Sequence, residues 1–194
     1  LTDRAWRSAL KPADAPATRR NLYLDRNQRR ALIDALPADV AAFVRGLCLL
    51  PLRPGALAAL TVGDFDYRRS ELVIARDKAG EGRRILLPAA TATMLREQAR
   101  NKLPAAHLFT RADGVSWNKD AWKKPIKQAA NDAGLPSETT AYTMRHSTIT
   151  DLVTGGLDLL TVAQVSGTSV AMIEKHYGHL RREHARDALA GLAL

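Results

Sequence analysis

The chain has 194 residues, 46% hydrophobic and 25% charged, which is ordinary for a globular protein and enough for one domain with a real core. Lysine and arginine number 29 against 20 acidic residues, a formal charge of +9, and an excess of that size draws polyanions, above all nucleic acid. A single cysteine, Cys48, excludes an intrachain disulfide and a thiolate-rich zinc site and fits a reducing cytoplasm, while no apolar run approaches the roughly 20 residues that span a bilayer.

Residues 1–20 are polar, carry alanine and proline, and lack periodicity, so they read as a linker. Without an initiator methionine or a signal-peptide pattern, the chain reads as a fragment of something longer, with a domain over residues 21–194. Order is expected from Tyr23. Asp25 and Gln28 form a capping box ahead of the stripe Leu32, Ile33, Leu36, and Pro37 stops that helix. A second helix runs to Pro51, and a short one follows with Pro54 in its first turn.

The period then changes. Residues 71–75 and 83–88 are short apolar runs joined by RDKAGEG, whose Gly80 and Gly82 mark a hairpin loop, and residues 61–66 offer a third strand. Helical periodicity returns over 89–102, 117–133, 141–155, 159–166, 169–177 and 182–193. The fold class expected is mainly α with one small antiparallel sheet, an α+β domain.

Tyr177 lies in MIEKHYGHL, between two histidines and directly before a glycine. Val170, Ile173 and Tyr177 share a helical face behind a Ser169 cap, which reads as a packed aromatic. Gly178 opposes that reading, because a left-handed C′ glycine ends a helix at the tyrosine and lets its side chain reach outward. Arg53 and Arg145 both stand among apolar neighbours, where an arginine meets a buried carboxylate, packs its stem, or points into a cleft. Lys78 sits at the hairpin tip. His176, His179 and His184 lack ligand spacing and accompanying carboxylates, so no metal site is expected.

Taken together, LRPGALAALTVGDFD, RDKAGEGRRILLP, TAYTMRHSTIT and VSGTSVAMIEKHYGHL resemble, in order and spacing, the catalytic domain of tyrosine recombinases, the phage-integrase family, over residues 22 to 184. The resemblance implies that Tyr177 is a nucleophile toward a DNA phosphodiester and that Arg53 and Arg145 hold its non-bridging oxygens. It also implies that Lys78 protonates the departing 5′-oxygen and that residues 1–20 connect to a DNA-binding domain lying upstream. It further implies double-stranded DNA as partner, no cofactor, a monomer in isolation that assembles on DNA, and a bacterial, cytoplasmic setting.

Three positions depart from the family pattern. Ala56 stands where an acidic residue is usual, Tyr142 where a histidine is, and Thr168 where a histidine or tryptophan is. Tyr142 and Thr168 still donate hydrogen bonds, and His146 or His179 is the expected helper in deprotonating Tyr177, with a packed His146 as the alternative. Lys119, Lys123, Lys124 and Lys127 of NKDAWKKPIK, with Arg181 and Arg182, are candidate DNA-backbone contacts. Two other activities stay open: a relative that binds DNA without cutting it, and a DNA-relaxing enzyme like the type IB topoisomerases.

Overall fold

The structure, a computed structural model, describes residues 22–74, 82–181, 186 and 189–190. Helix α1 (Arg26–Asp34) begins with the expected box. Asp25 accepts from the Gln28 N–H at 2.9 Å, and the Gln28 side chain accepts from the Asp25 N–H at 2.9 Å. Two donors that a helix start leaves open are thereby satisfied. Helix α2 (Ala38–Leu49) buries Phe43, Val44 and Leu47. Helix α3 (Pro54–Ala59) follows, with Pro54 at its start.

A 3-10 turn (Val62–Asp64) leads into β1 (Phe65–Asp66), β2 (Glu71–Ile74) and β3 (Arg83–Leu86), an antiparallel sheet in the order β1-β2-β3. The register sets Leu72 opposite Ile85 and Ile74 opposite Arg83. Period-two alternation therefore puts Arg83 on the apolar face with Leu72, Ile74 and Ile85, and turns Arg84 and Leu86 to solvent. The hairpin loop and Lys78 lie outside the described residues.

The remaining helices are α4 (Ala89–Ala99), α5 (Lys119–Asp132), α6 (Ala141–Thr154), α7 (Leu159–Ser166) and α8 (Val170–Tyr177). Each falls within a range that its periodicity predicts, apart from the tail over 182–193, which lies almost wholly outside the described residues. One core joins α1 to α6 and the sheet. Phe43 stacks on Trp117 and Trp122 at 5.5 and 5.2 Å between ring centroids. A second, smaller cluster holds Ile149, Val153, Val162, Ile173 and Tyr177.

Helix α6 carries three of the candidate residues, Tyr142, Arg145 and His146, and is held from two sides. Thr148 donates its hydroxyl to the Met144 carbonyl at 2.9 Å and lies 3.1 Å from the Leu47 carbonyl of α2. On the other side Ser147 accepts from the Leu24 N–H at 3.0 Å, and Asp151 accepts from Tyr23 and pairs with the buried Arg29.

Two expectations around Tyr177 need correction. Gly178 is not left-handed: its φ of −58° and ψ of −32° are right-handed, and the chain runs on into a 3-10 turn, Gly178–Arg181. A chain that keeps winding the same way has no need of a reversal there. Val170 is exposed at the helix start, so only Ile173 and Tyr177 complete the apolar stripe.

Candidate active site

Several parts of the chain meet around one cleft of about 950 Å³. The start of α3 contributes Arg53, and the first turns of α6 contribute Tyr142, Arg145 and His146. Thr168, in the turn after α7, and His176 and Tyr177, at the end of α8, close the far side.

Arg145 is 9% exposed. Its Nη1 donates to the Pro51 carbonyl and, at 3.0 Å, to the Ser166 carbonyl. One guanidinium nitrogen thus ties the segment before Arg53 to the turn before Thr168. Burial, with the positive charges of Arg53 and Arg83, brings its pKa down to about 10, still far enough above neutrality that the group stays charged. Its acceptors are neutral carbonyls, so this buried cation gains further from an anion in the cleft, and a planar fork suits phosphate oxygens.

Tyr177 divides between the two readings of its sequence position. Its ring is packed: the residue is 8% exposed and belongs to the second apolar cluster. The residue nevertheless lines the cleft, and its hydroxyl lies 2.9 Å from His146 Nδ1 with the rings 5.1 Å apart at a tilt of 31°. Burial raises the phenol pKa, against a smaller opposing effect of Arg145. Burial and the neighbouring His176 lower that of His146. At pH 7 the phenol is therefore protonated and the imidazole neutral, and with the ring proton on Nε2 the hydroxyl donates to Nδ1. That is the arrangement of an acid and a base within proton-transfer reach.

The cleft wall formed by α5 is basic. Asn118 caps this helix by accepting from the N–H groups of Asp120 and Ala121 at 3.1 and 2.9 Å. Lys119, Lys123 and Lys127 recur at every fourth residue and all line the cleft, which is the spacing of one helical face.

The Phage integrase family model matches residues 23–184. The chain belongs to that family. It is 30% identical over 141 residues to the tyrosine recombinase XerC of Roseiflexus castenholzii, covering 68% of this chain and 44% of the relative. To the tyrosine recombinase XerD of Corynebacterium glutamicum it is 27% identical, covering 91% and 63%. The chain thus spans about half to two thirds of the length of these relatives. Its fold is also that of the Tn1549 transposon integrase, solved in complex with transposon right end DNA, with a TM-score of 0.75 and 18% identity over 96% of this chain and 70% of that one.

Within this phage-integrase fold, the cleft gathers Arg53, Tyr142, Arg145, His146, Thr168 and Tyr177, all of which the sequence singles out. Of the four lysines expected on this helix, Lys119, Lys123 and Lys127 join them, whereas Lys124 is not among the cleft-lining residues. His179 and Arg181 belong to the 3-10 turn, and His179 is exposed and away from the cleft wall. Between the two histidines expected to help Tyr177, the geometry favours His146. Lys78 and Arg182 lie outside the described residues. Arg83 was passed over, although its place on the apolar face of β3 is legible from alternation alone. No helix among the described residues is long and apolar enough to cross a membrane, and no three His, Cys, Asp or Glu side chains among them form a metal-holding group.

Proposed function

We propose that this chain is the catalytic part of a site-specific DNA recombinase of the integrase kind, carried by a prophage or other mobile element, and that it cuts and rejoins strands through a 3′-phosphotyrosyl link. The observation that carries this reading is Tyr177, its hydroxyl bonded to a neutral imidazole, lining the same cleft as two buried or half-buried arginines.

His146 takes the phenolic proton as the Tyr177 oxygen attacks phosphorus. The bond from phosphorus to the 5′-oxygen breaks, and that oxygen leaves as a hydroxyl after taking a proton, for which Lys78 is the assigned donor. Arg53 and Arg145 hold the non-bridging oxygens as charge grows on them. Losing one such preorganised donor costs about 3–4 kcal/mol of barrier. In the second step a 5′-hydroxyl attacks the phosphotyrosine and the proton returns to Tyr177. The ester keeps the bond energy, so no nucleotide is spent. Double-stranded DNA is the partner, with copies of the chain assembling on it.

The test is a duplex nicked beside the cleavage site, so that the freed fragment diffuses away and the covalent adduct accumulates. The duplex is drawn from a random-sequence library by its covalent retention on the protein. Wild type should form the adduct and Tyr177→Phe should not. Adduct formed by Tyr177→Phe would remove Tyr177 from the reaction. A wild type that binds library members tightly but links to none would support a DNA-binding relative without cutting activity, the reading with which the departures at Ala56, Tyr142 and Thr168 are consistent.

A further inference from the structure

Arg83 has no role in the chemistry above, yet its place in the fold leads to it. Being the first residue of β3, it reaches across the apolar face of the sheet to the turn after α7. A β-carbon built on Gly167 would lie 2.5 Å from Arg83 Nη2 and 2.6 Å from both Cζ and Nη1. Three guanidinium atoms at nearly one distance mean that the plane lies flat over the glycine backbone. Gly167 is itself left-handed, with φ of 65°, and buried. Conformation and space both demand glycine there.

The turn covered in this way is the one that holds Arg145. The carbonyl of Ser166 accepts from Arg145 Nη1 at 3.0 Å, and the next residue but one, Thr168, lines the cleft. The Thr168 N–H closes the turn on the Ala163 carbonyl at 3.0 Å. A shift of the turn would carry the Ser166 carbonyl, and with it one of the two anchors of Arg145.

We propose that Arg83 is a positioning residue for Arg145: its guanidinium presses on Gly167 and fixes the Ser166 carbonyl that aims the Arg145 fork at a phosphate. The identity of that phosphate rests on the strand-transfer reading, while the latch itself does not. A planar group covers a glycine backbone face-on, and the point charge of a lysine does not reproduce that contact.

Two measurements decide it. The first compares adduct formation on the captured duplex with that on the same duplex carrying a methyl group in place of one non-bridging oxygen at the scissile position. The methylphosphonate has no anionic charge for an arginine to balance. Arg83→Ala, Arg83→Lys and Gly167→Ala should each lower the rate on the phosphodiester by about a hundredfold. On the uncharged substrate the deficit should shrink to under about tenfold. Equal deficits on both substrates, or full activity in Arg83→Lys, overturn the proposal. The second uses the chain without DNA and follows hydrogen exchange. The Thr168 amide should exchange faster in Arg83→Ala and Arg83→Lys while amides of α2 stay protected. Unchanged exchange at Thr168, or loss of protection throughout, overturns the latch. If wild type links to no duplex, the strand-transfer reading falls and the exchange result alone decides Arg83.

Discussion

His146 gives the most direct trial of the chemistry. At pH 7 fewer than about one phenol in a thousand is ionised when its pKa lies above 10, and burial holds Tyr177 above its ordinary value. Attack by pre-ionised tyrosine is then slower than attack assisted by a base at 2.9 Å, and a positioned general base typically contributes about 10²–10⁴-fold. That corresponds to about 2.7–5.4 kcal/mol. His146→Gln should therefore lower the rate of adduct formation by that range while leaving DNA affinity near its wild-type value. The pH profile provides the sharper reading. The folded pKa of His146 is depressed below the usual 6.5, so wild-type activity should hold down to about 6.5 and fall below it as the imidazole is protonated. The Gln variant should lack that limb, its rate rising with pH toward the phenol pKa. Stability follows the same sign: between the unfolded and folded pKa the unfolded chain binds more protons, so the fold loses stability as pH falls through that window. Adduct formation by His146→Gln within about threefold of wild type, or an unchanged acid limb, would refute the role.

Other predictions test the frame around the site. Asp151→Ala removes the carboxylate paired with Arg29, itself 6% exposed, and the acceptor of the Tyr23 hydroxyl. Because Asp151 is itself partly exposed, the lower end of the cost of a broken buried pair applies, about 3 kcal/mol, which urea unfolding should read directly. A change below about 0.5 kcal/mol would show that the pair adds nothing to stability. Burial pushes the Cys48 thiol up to about 11, which leaves about one thiolate in a thousand at pH 8. A thiol reagent should thus label the half-buried Cys48 of the native chain about a hundredfold more slowly than that of the unfolded chain at the same pH, and equal rates would contradict the raised pKa. Lys127→Ala should make the slope of log affinity against log salt shallower by about 0.9 in anisotropy titrations of a fluorescent duplex, and Lys124→Ala should leave it unchanged. Equal effects from both would mean that the cleft wall of α5 is not the surface that meets DNA.

The elements were legible wherever a local rule acted alone. The box of Asp25 and Gln28, the Pro54 start and the Ser169 cap all hold as read, because each is a contact between residues a few positions apart. Strand alternation was equally local, and it would have revealed Arg83 had the inner face been followed past the first apolar residue. What the sequence could not resolve was which atom of Tyr177 matters. Its ring obeys the helical stripe and its hydroxyl obeys His146, thirty-one positions away, and periodicity reports only the first. Gly178 misled because glycine permits a left-handed turn without requiring one. The choice between His146 and His179 likewise turned on a tertiary distance.

The departures at Ala56, Tyr142 and Thr168 acquire a physical meaning from Arg145. Had this arginine been fixed by side-chain carboxylates, losing an acidic residue nearby would have left a buried cation adrift, at a cost of several kcal/mol. Its acceptors are instead the carbonyls of Pro51 and Ser166, groups that every substitution leaves in place so long as the backbone keeps its path. Tyr142 is 60% exposed on the cleft wall and Thr168 half-buried beside it, so both can change without disturbing that anchorage. The burden then moves from side-chain identity to backbone position, onto whatever holds the segment before Arg53 and the turn around Gly167. For the turn that support is Arg83. Variation at the three departing positions should accordingly alter rate, whereas variation at Gly167 or Arg83 should decide whether Arg145 is presented at all.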